Sequence, residues 1–317
     1  MGYVSLGKVF IQRALLGLVA AWAVVSLIFV LFTVTRDWML ELDIALARRS
    51  HAPDHEIEEI EAEYLASRDL DRPLTEQYVD WIVRVFTLDW GDSLETGEPA
   101  LQLVANATIR TAMYVIPALV LAVVVGLLVG LYVALNPESR LANGGVIVTY
   151  ALFAIPNFYV GAMLLSFASG GVIPNSWIVF EHALPIALTA TSMLGGYVSF
   201  TRAHGLEHSR ADFVRLVRAK GADRVRVGMH VVRNAAIPMV SMLFTEALAL
   251  LVLAVFIVET LFGIEGLGLV LFEAIQTRDL PVILGGTMVL VAVGIVGNIF
   301  QDISYSVLDP RVDTGTR

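Results

Sequence analysis

Six long apolar segments constrain this chain more than any other feature of its sequence. They cover residues 14–35, 112–135, 146–168, 183–201, 236–262 and 282–300. A helix needs about 20 mostly apolar residues to cross the hydrocarbon core of a bilayer, and each segment approaches or exceeds that length. The composition agrees, since 57% of the 317 residues are hydrophobic and only 16% are charged. The sequence therefore predicts an all-α integral membrane protein with six transmembrane helices.

Lysine and arginine in the short connections indicate the orientation of the helices, because such residues are retained on the cytoplasmic side. The connection between the fourth and fifth segments, 202–235, is by far the most basic. Placing it inside puts both termini in the cytoplasm and the long connection 36–111 outside. Alternatively, the weakly apolar segment 183–201 does not cross, which would place Arg311 and Arg317 outside.

Residues 36–111 are predicted to form a small extracytoplasmic helical domain between the first two membrane helices. Apolar residues recur there at helical spacing on both sides of Pro73. They are Ile57, Ile60, Tyr64 and Leu65 before the proline, and Tyr78, Trp81, Ile82 and Val85 after it. We expect two short helices whose apolar faces pack on each other. The predicted division is thus 1–35 with the first membrane helix, the domain 36–111, and a core of five membrane helices at 112–317.

The sequence also disfavours several classes of function. Neither lysine, Lys8 or Lys220, is followed by serine or threonine, so the Gly-rich loop of P-loop ATPases is missing. His55 begins half of a zinc-protease motif, but Glu59 stands where the second histidine is needed. The chain has no cysteine, and its net charge of −9 argues against nucleic acid as a partner. We therefore predict no catalytic residue, cofactor-binding residue or metal ligand.

The most informative stretch is "DFVRLVRAKGADRVRVGMHVVRNAAIP", residues 212–238, which holds six lysines and arginines against two acids. Its charge could simply set the orientation, could contact anionic lipid headgroups, or could dock a cytoplasmic partner. Its form favours docking. A short helix ends at Gly221, a residue suited to a sharp turn with positive φ, and a second short helix begins at Asp223.

This stretch resembles the permease subunit of binding-protein-dependent ABC importers, in the dipeptide and oligopeptide branch. The resemblance continues in "LDRPLTEQYVDWIVRVFTLDWGDSLETGEP" at 70–99, "IPNFYVG" at 155–161, "VETLFGIEGLG" at 258–268, "RDLPVILG" at 278–285 and "LDPR" at 308–311. Two departures stand out. The glutamate that opens the general permease signature is replaced by Arg215, and Glu265 stands where the family normally has proline.

The resemblance implies the six-helix fold of type I ABC importer permeases and assigns candidate roles. Residues expected to contact the ATPase are Asp212, Phe213, Arg215, Leu216, Arg218, Ala219, Lys220 and Gly221. Candidates for the translocation path are Glu246, Asn157 and Asn298. A loop with Glu259, Gly263, Gly266 and Gly268 is expected to face the binding protein.

The implied partners are a second permease subunit, two cytoplasmic ATPases that hold ATP and magnesium, an extracytoplasmic solute-binding protein and the lipid bilayer. Selectivity lies largely in the binding protein, so dipeptides, oligopeptides, nickel and oligosaccharides all remain open as substrates. A membrane scaffold or receptor that transports nothing is the alternative class, and an ion channel is a further one.

Overall fold

A computed structural model describes residues 6–174, 178–209 and 255–308, together with the single positions 176, 219, 221, 226 and 228. Helices dominate these residues, and no strand longer than the single β-bridge between Asp92 and Pro99 is present among them. The helices are α1 Leu6–Val34, α2 Trp38–Arg49, α3 Asp54–Ser67, α4 Leu74–Thr87, α5 Ala100–Leu135, α6 Arg140–Ala154, α7 Asn157–Ser169, α8 Leu184–Ser209, α9 Val255–Phe262, α10 Leu267–Thr277 and α11 Leu280–Leu308. A π-helical turn, Ile178–Ala183, leads into α8.

Four of the described helical segments are long and apolar enough to cross a membrane: Ile11–Arg49, Ala100–Leu135, Ile178–Glu207 and Leu280–Gln301. Two further pairs, α6 with α7 and α9 with α10, pass the same test together but are sharply bent at a short break. The number of spans is therefore four, or up to six if each bent pair is one span. The prediction of an all-helical membrane protein is confirmed, whereas the count of six stays a prediction.

The predicted third span, 146–168, is interrupted near its middle. α6 ends at Ala154, α7 begins at Asn157, and the two helices are bent by 78°. Pro156 causes the break, because the residue before a proline is pushed out of the helical region. Ile155 accordingly has an extended backbone, with ψ at 124°. Because both halves are apolar, hydropathy alone predicts one continuous segment here.

The connection between α1 and α5 contains three helices where the sequence predicted two. The break at Pro73 is confirmed, since α3 ends before it and α4 begins directly after it. The additional helix α2 is capped by Asp37, whose side chain accepts hydrogen bonds from the backbone of Met39 and Leu40. α5 begins at Ala100, so the last twelve residues assigned to this domain belong to the next long helix.

Packing divides the chain into two compact units. The first contains Met1–Val9, Ile109–Leu269 and Gly294–Arg317, and the second contains Phe10–Thr108 and Val270–Val293. In the second unit, Trp81 and Val85 of α4 pack with Val25 of α1 and Leu284 of α11. α3 packs on α2. The expectation that the apolar faces of α3 and α4 pack chiefly on each other is thus wrong, because each has a different main neighbour.

The first unit is built on a close approach of α5 and α8. Ala118 and Ala122 of α5 form a buried cluster with Ala190, Met193 and Tyr197 of α8. Two turns further along, a Cβ added to Gly130 would lie 2.6 Å from the Cβ of Thr201. Small residues on α5 therefore allow the two backbones to meet, which is a common device where membrane helices pack.

Candidate functional site

The predicted binding-protein loop begins with a regular helix end. α9 stops at Phe262, and Gly263 adopts a left-handed conformation with φ at +64°. The backbone N–H of Ile264 then donates to the carbonyl oxygen of Glu259 at 3.0 Å. This is the hydrogen bond of a Schellman motif, in which a glycine reverses the chain direction after the last helical turn. Gly263 is therefore required for its backbone conformation.

The side chain of Glu259 is fully buried in this loop and accepts four hydrogen bonds. Its Oε1 accepts from the hydroxyl groups of Thr111 at 2.5 Å and Tyr114 at 3.0 Å. Its Oε2 accepts from the backbone N–H groups of Gly268 at 2.6 Å and Leu269 at 3.0 Å. The relative exposure of Glu259 is 0%, so these donors replace water around the carboxylate. Glu259 thus shapes the loop from within and does not form its surface.

The same contacts join the start of α10 to α5. Gly268 and Leu269 lie in the first turn of α10, whose N–H groups have no partner inside the helix. A carboxylate at this end also interacts favourably with the helix dipole. Thr111 completes the connection, because its Oγ1 accepts from the N–H of Leu267 at 2.8 Å. One glutamate and one threonine therefore fix the position of three consecutive backbone donors.

The other two predicted glycines leave room for this carboxylate. A Cβ on Gly266 would collide with the carboxylate of Glu259 and would lie 2.6 Å from Oγ1 of Thr111. A Cβ on Gly268 would lie 2.9 Å from Cα of Phe256. The spacing of the glycines in "GIEGLG" thus follows from the buried glutamate, which could not approach so closely if side chains stood at these positions.

Glu265 occupies the centre of a tight turn in the same loop. The N–H of Gly266 donates to the carbonyl oxygen of Ile264 at 2.6 Å, which closes a three-residue γ-turn, and the φ of Glu265 is not positive. The inverse γ-turn places its central residue near φ −75°, close to the value that proline imposes. Glutamate can therefore stand where the family normally has proline. The carboxylate of Glu265 is exposed and forms an ion pair with Arg110.

The structure thus brings Glu259, Gly263, Gly266 and Gly268 together in one loop held to α5. That this loop faces a binding protein stays a prediction. Sequence reasoning missed Thr111, Tyr114 and Arg110, since they lie about 150 positions away along the chain. Their side chains follow no pattern of spacing that would mark them within an apolar helix.

The translocation-path candidates are found in different settings. Asn157 is the first residue of α7, and its amide donates to the carbonyl oxygen of Leu188 on α8 at 2.6 Å. Thr191 donates to the Oδ1 of Asn157 at 3.4 Å. Asn157 therefore holds α7 to α8, whereas Asn298 is exposed on α11. Glu246 lies outside the described residues.

Most of the predicted coupling segment, Asp212 to Arg218 and Lys220, also lies outside the described residues. Ala219 is helical, and Gly221 lies in a turn with φ at +79°, so the prediction of positive φ is confirmed. A Cβ at Gly221 would meet nothing within 4 Å. Arg226 and Gly228 are helical again. The form at these four positions agrees with two short helices joined at a glycine.

The second unit contains an ionic network that the sequence did not predict. Arg278, a non-glycine residue with φ at +54°, forms an ion pair with Asp37 at 3.2 Å. It also donates to the carbonyl oxygens of Arg36 at 2.7 Å and Phe32 at 3.1 Å. Tyr64 donates to Asp37 at 2.9 Å, and burial together with this hydrogen bond raises the pKa of Tyr64 to about 12. The network holds the end of α1 to the start of α11.

The neighbouring residue extends these contacts to another part of the chain. Asp279 is 2% exposed and accepts a hydrogen bond from the hydroxyl of Ser93 at 2.5 Å. Its Oδ1 also accepts from the N–H of Val282 at 3.4 Å, at the start of α11. The dipeptide Arg278–Asp279 in the "RDLP" motif thus contacts both ends of the connection between α1 and α5.

Comparison with known proteins agrees with this architecture. Residues 126–314, more than half of the chain, match the family described as the inner membrane component of binding-protein-dependent transport systems. A protein of Brucella ovis named as a peptide permease is 31% identical over 319 residues, which cover 95% of this chain and 98% of that protein.

Relatives with more specific names are more distant. The oligopeptide transport system permease protein of Bacillus subtilis is 28% identical over 79% of this chain and 84% of its own length. The dipeptide transport system permease protein of Escherichia coli is 29% identical with the same coverage. The apolar helices, the loop ordered by Glu259 and these matches place the chain in one family: it belongs to the inner membrane components of binding-protein-dependent transport systems, and it is a transmembrane permease subunit of an ABC importer.

Proposed function

We propose that this permease forms the translocation path for peptides delivered by an extracytoplasmic binding protein. The observation that carries the proposal is the similarity to the Brucella ovis protein named as a peptide permease, which extends over 95% of this chain. Relatives named for dipeptide and oligopeptide transport support the same class of substrate.

The proposed assembly contains a second permease subunit, two cytoplasmic ATPases and the binding protein. ATP and magnesium would be held by the ATPases, since neither Lys8 nor Lys220 is followed by the serine or threonine of a P-loop. The segment from Asp212 to Gly221 would contact an ATPase. The loop that contains Glu259 would lie on the opposite side, near the binding protein.

The geometry of both loops supports this division of roles. Gly221 provides a turn with an unobstructed surface, which suits a segment that inserts into a partner. The loop at Glu259 is held to α5 through Oε1, which accepts from Thr111 and Tyr114, while Oε2 accepts from the first turn of α10. With a rigid contact at each of these two loops, closure of the ATPases can change the cavity between the helices. The nucleotide site and the cavity are then linked by a coupling free energy.

One relative favours a second candidate substrate. The metal-staphylopine import system permease protein of Staphylococcus aureus is 26% identical over 77% of this chain. A complex of a metal ion with staphylopine is therefore the alternative to a peptide. Both would require the same permease architecture.

The test is reconstitution of this chain into proteoliposomes with a second permease subunit, two ATPase subunits and a solute-binding protein from the same organism. We expect ATP-dependent uptake of labelled dipeptides or oligopeptides that stops when the binding protein is omitted. Uptake of a metal chelate without uptake of any peptide would support the alternative. ATP-independent flux of either solute would contradict the importer mechanism.

A further inference from the structure

The second unit contains a cavity. It has a volume of about 350 Å³ and is lined by parts of α1, α3, α4 and α11 and by the segment 90–94. Cavities that bind small molecules start at about 300 Å³ and combine apolar walls with a few polar groups. This cavity fits that description, because its lining contains aromatic, leucine, arginine and aspartate side chains.

The floor of the cavity is formed by the ends of two membrane helices. Phe29 and Phe32 belong to the last two turns of α1, and Leu280 and Leu284 belong to the first turn of α11. At 1.5 Å per residue, Phe29 lies about 8 Å from the end of α1. α1 and α11 are both apolar enough to cross a bilayer. The floor therefore lies at the depth where lipid acyl chains begin.

Two tryptophans form another part of the wall. Trp81 and Trp90 both line the cavity, and their indole N–H groups donate to the carbonyl oxygens of Val25 at 3.3 Å and Val85 at 3.4 Å. Both rings are buried within the protein, so they present apolar surface to the cavity.

The charged groups of the lining balance one another. They are Arg68, Arg72, Arg84 and Arg278, and Asp37, Asp69, Asp80 and Asp92. An equal number of cations and anions does not favour a ligand with a net charge. It favours a zwitterion, whose two charges can each meet an opposite charge in the lining.

Ion pairs already use most of these groups. Arg278 pairs with Asp37 at 3.2 Å, and Arg72 pairs with Asp80 at 2.6 Å. Arg84 pairs with Asp69 at 3.5 Å.

Two charged groups are left to contact a ligand. Arg68 lies 4.5 Å over the ring of Tyr64 and donates to the carbonyl oxygen of Arg278, but has no carboxylate partner within the described part of the chain. Asp92 likewise has no ion pair there. One guanidinium and one carboxylate are thus open in one cavity.

We propose that this cavity binds a phospholipid whose zwitterionic headgroup carries a free ammonium group. The phosphate would accept hydrogen bonds from the guanidinium of Arg68. The ammonium group would donate to Asp92, and the upper acyl chains would lie on Phe29, Phe32 and Leu284. A dissolved dipeptide is also a zwitterion, but it would not use a floor at the depth of the acyl chains.

Native mass spectrometry of the purified permease tests the proposal with three lipids of identical acyl chains. Phosphatidylethanolamine has an ammonium group with N–H donors, phosphatidylcholine has none, and phosphatidylglycerol is an anion. We expect phosphatidylethanolamine to remain bound at higher collision energy than the other two. Arg68→Gln and Asp92→Asn should each weaken its retention about tenfold, the loss expected for one charge-assisted hydrogen bond.

Matched controls separate a specific site from a general loss of charge. Arg49→Gln and Asp89→Asn change exposed groups near the same segments that do not line the cavity, and they should leave retention unchanged. Because Arg68 also contacts Arg278, a second measurement avoids any effect on folding. Phosphatidylethanolamine brominated on its upper acyl chains should quench tryptophan fluorescence more than brominated phosphatidylcholine, and Trp90→Phe should remove that difference.

Three results would overturn the proposal. They are equal retention of all three lipids by the wild-type protein, preferential retention of phosphatidylglycerol, and displacement of phosphatidylethanolamine by a soluble dipeptide. The test involves neither transport nor ATP, so its outcome is independent of the proposed substrate.

Discussion

Among single residues, Glu259 has the largest effect on the shape of its loop. Each carboxylate oxygen accepts two hydrogen bonds, so the NH₂ group of a glutamine would leave two of the four donors without an acceptor. We expect Glu259→Gln to lower the free energy of unfolding by about 1–3 kcal/mol, because an amide NH₂ group would face donors instead of accepting from them. Thermal unfolding of the detergent-purified protein measures the change.

Glu265→Gln is the matched control for this substitution. Its carboxylate is 72% exposed and forms an ion pair only with the half-exposed Arg110. Exposed ion pairs contribute about 0–1 kcal/mol, so Glu265→Gln should change stability little. Equal effects of the two substitutions would show that the buried hydrogen bonds of Glu259 do not order the loop.

Substitution of Gly266 tests the packing of the same loop, because it adds volume without changing the charge. An alanine Cβ would collide with the carboxylate of Glu259, which is already fixed by four donors and cannot withdraw without losing them. We expect Gly266→Ala to destabilise the protein by about 1–3 kcal/mol, the usual effect of overpacking. Gly294→Ala on α11 is the control, since a Cβ there would meet nothing within 4 Å. The prediction is wrong if both variants unfold at the same temperature.

At the scale of elements, the short segment around Gly221 carries the clearest functional prediction. Gly221 has φ at +79°, a conformation that strains any residue with a Cβ, and an added Cβ would meet none of the described residues within 4 Å. We expect Gly221→Asp to abolish transport and substrate-stimulated ATP hydrolysis while the permease still inserts. Arg226→Ala, in the second short helix, should have a much milder effect.

The measurement is recovery of the ATPase subunit with each variant, followed by ATP hydrolysis and uptake in proteoliposomes. Normal stimulated hydrolysis and uptake in Gly221→Asp would mean that this loop does not couple the two subunits, and that its basic charge only sets the orientation of the helices.

Elements marked by local signals could be predicted from the sequence, and those set by distant contacts could not. The apolar spans, the break at Pro73 and the turn at Gly221 depend on neighbouring residues alone. The bend at Ile155 was missed because apolar residues continue on both sides of Pro156, so hydropathy does not record a change of direction. The partners of Glu259 and Arg278 were missed because those contacts join residues far apart in the chain.

At the scale of the whole molecule, orientation in the membrane remains to be tested. We predict that residues 36–111 are outside and residues 202–235 are inside, because the basic segment cannot be exported favourably. The chain contains no cysteine, so single cysteines at Ser67 and Ser209 can be introduced without further changes. An impermeant thiol reagent added to intact cells should label position 67 only. Labelling of position 209 and not of position 67 would reverse the proposed orientation.

The bend between α6 and α7 has a consequence for how the protein is made. α6 has 15 residues and α7 has 13, so neither is long enough to cross the bilayer alone. If the pair is one span, its two halves leave the translocon together during synthesis. The bond from Asn157 to Leu188 needs α8, which is synthesised later. The contact that holds α7 in place can therefore form only after α8 has been made.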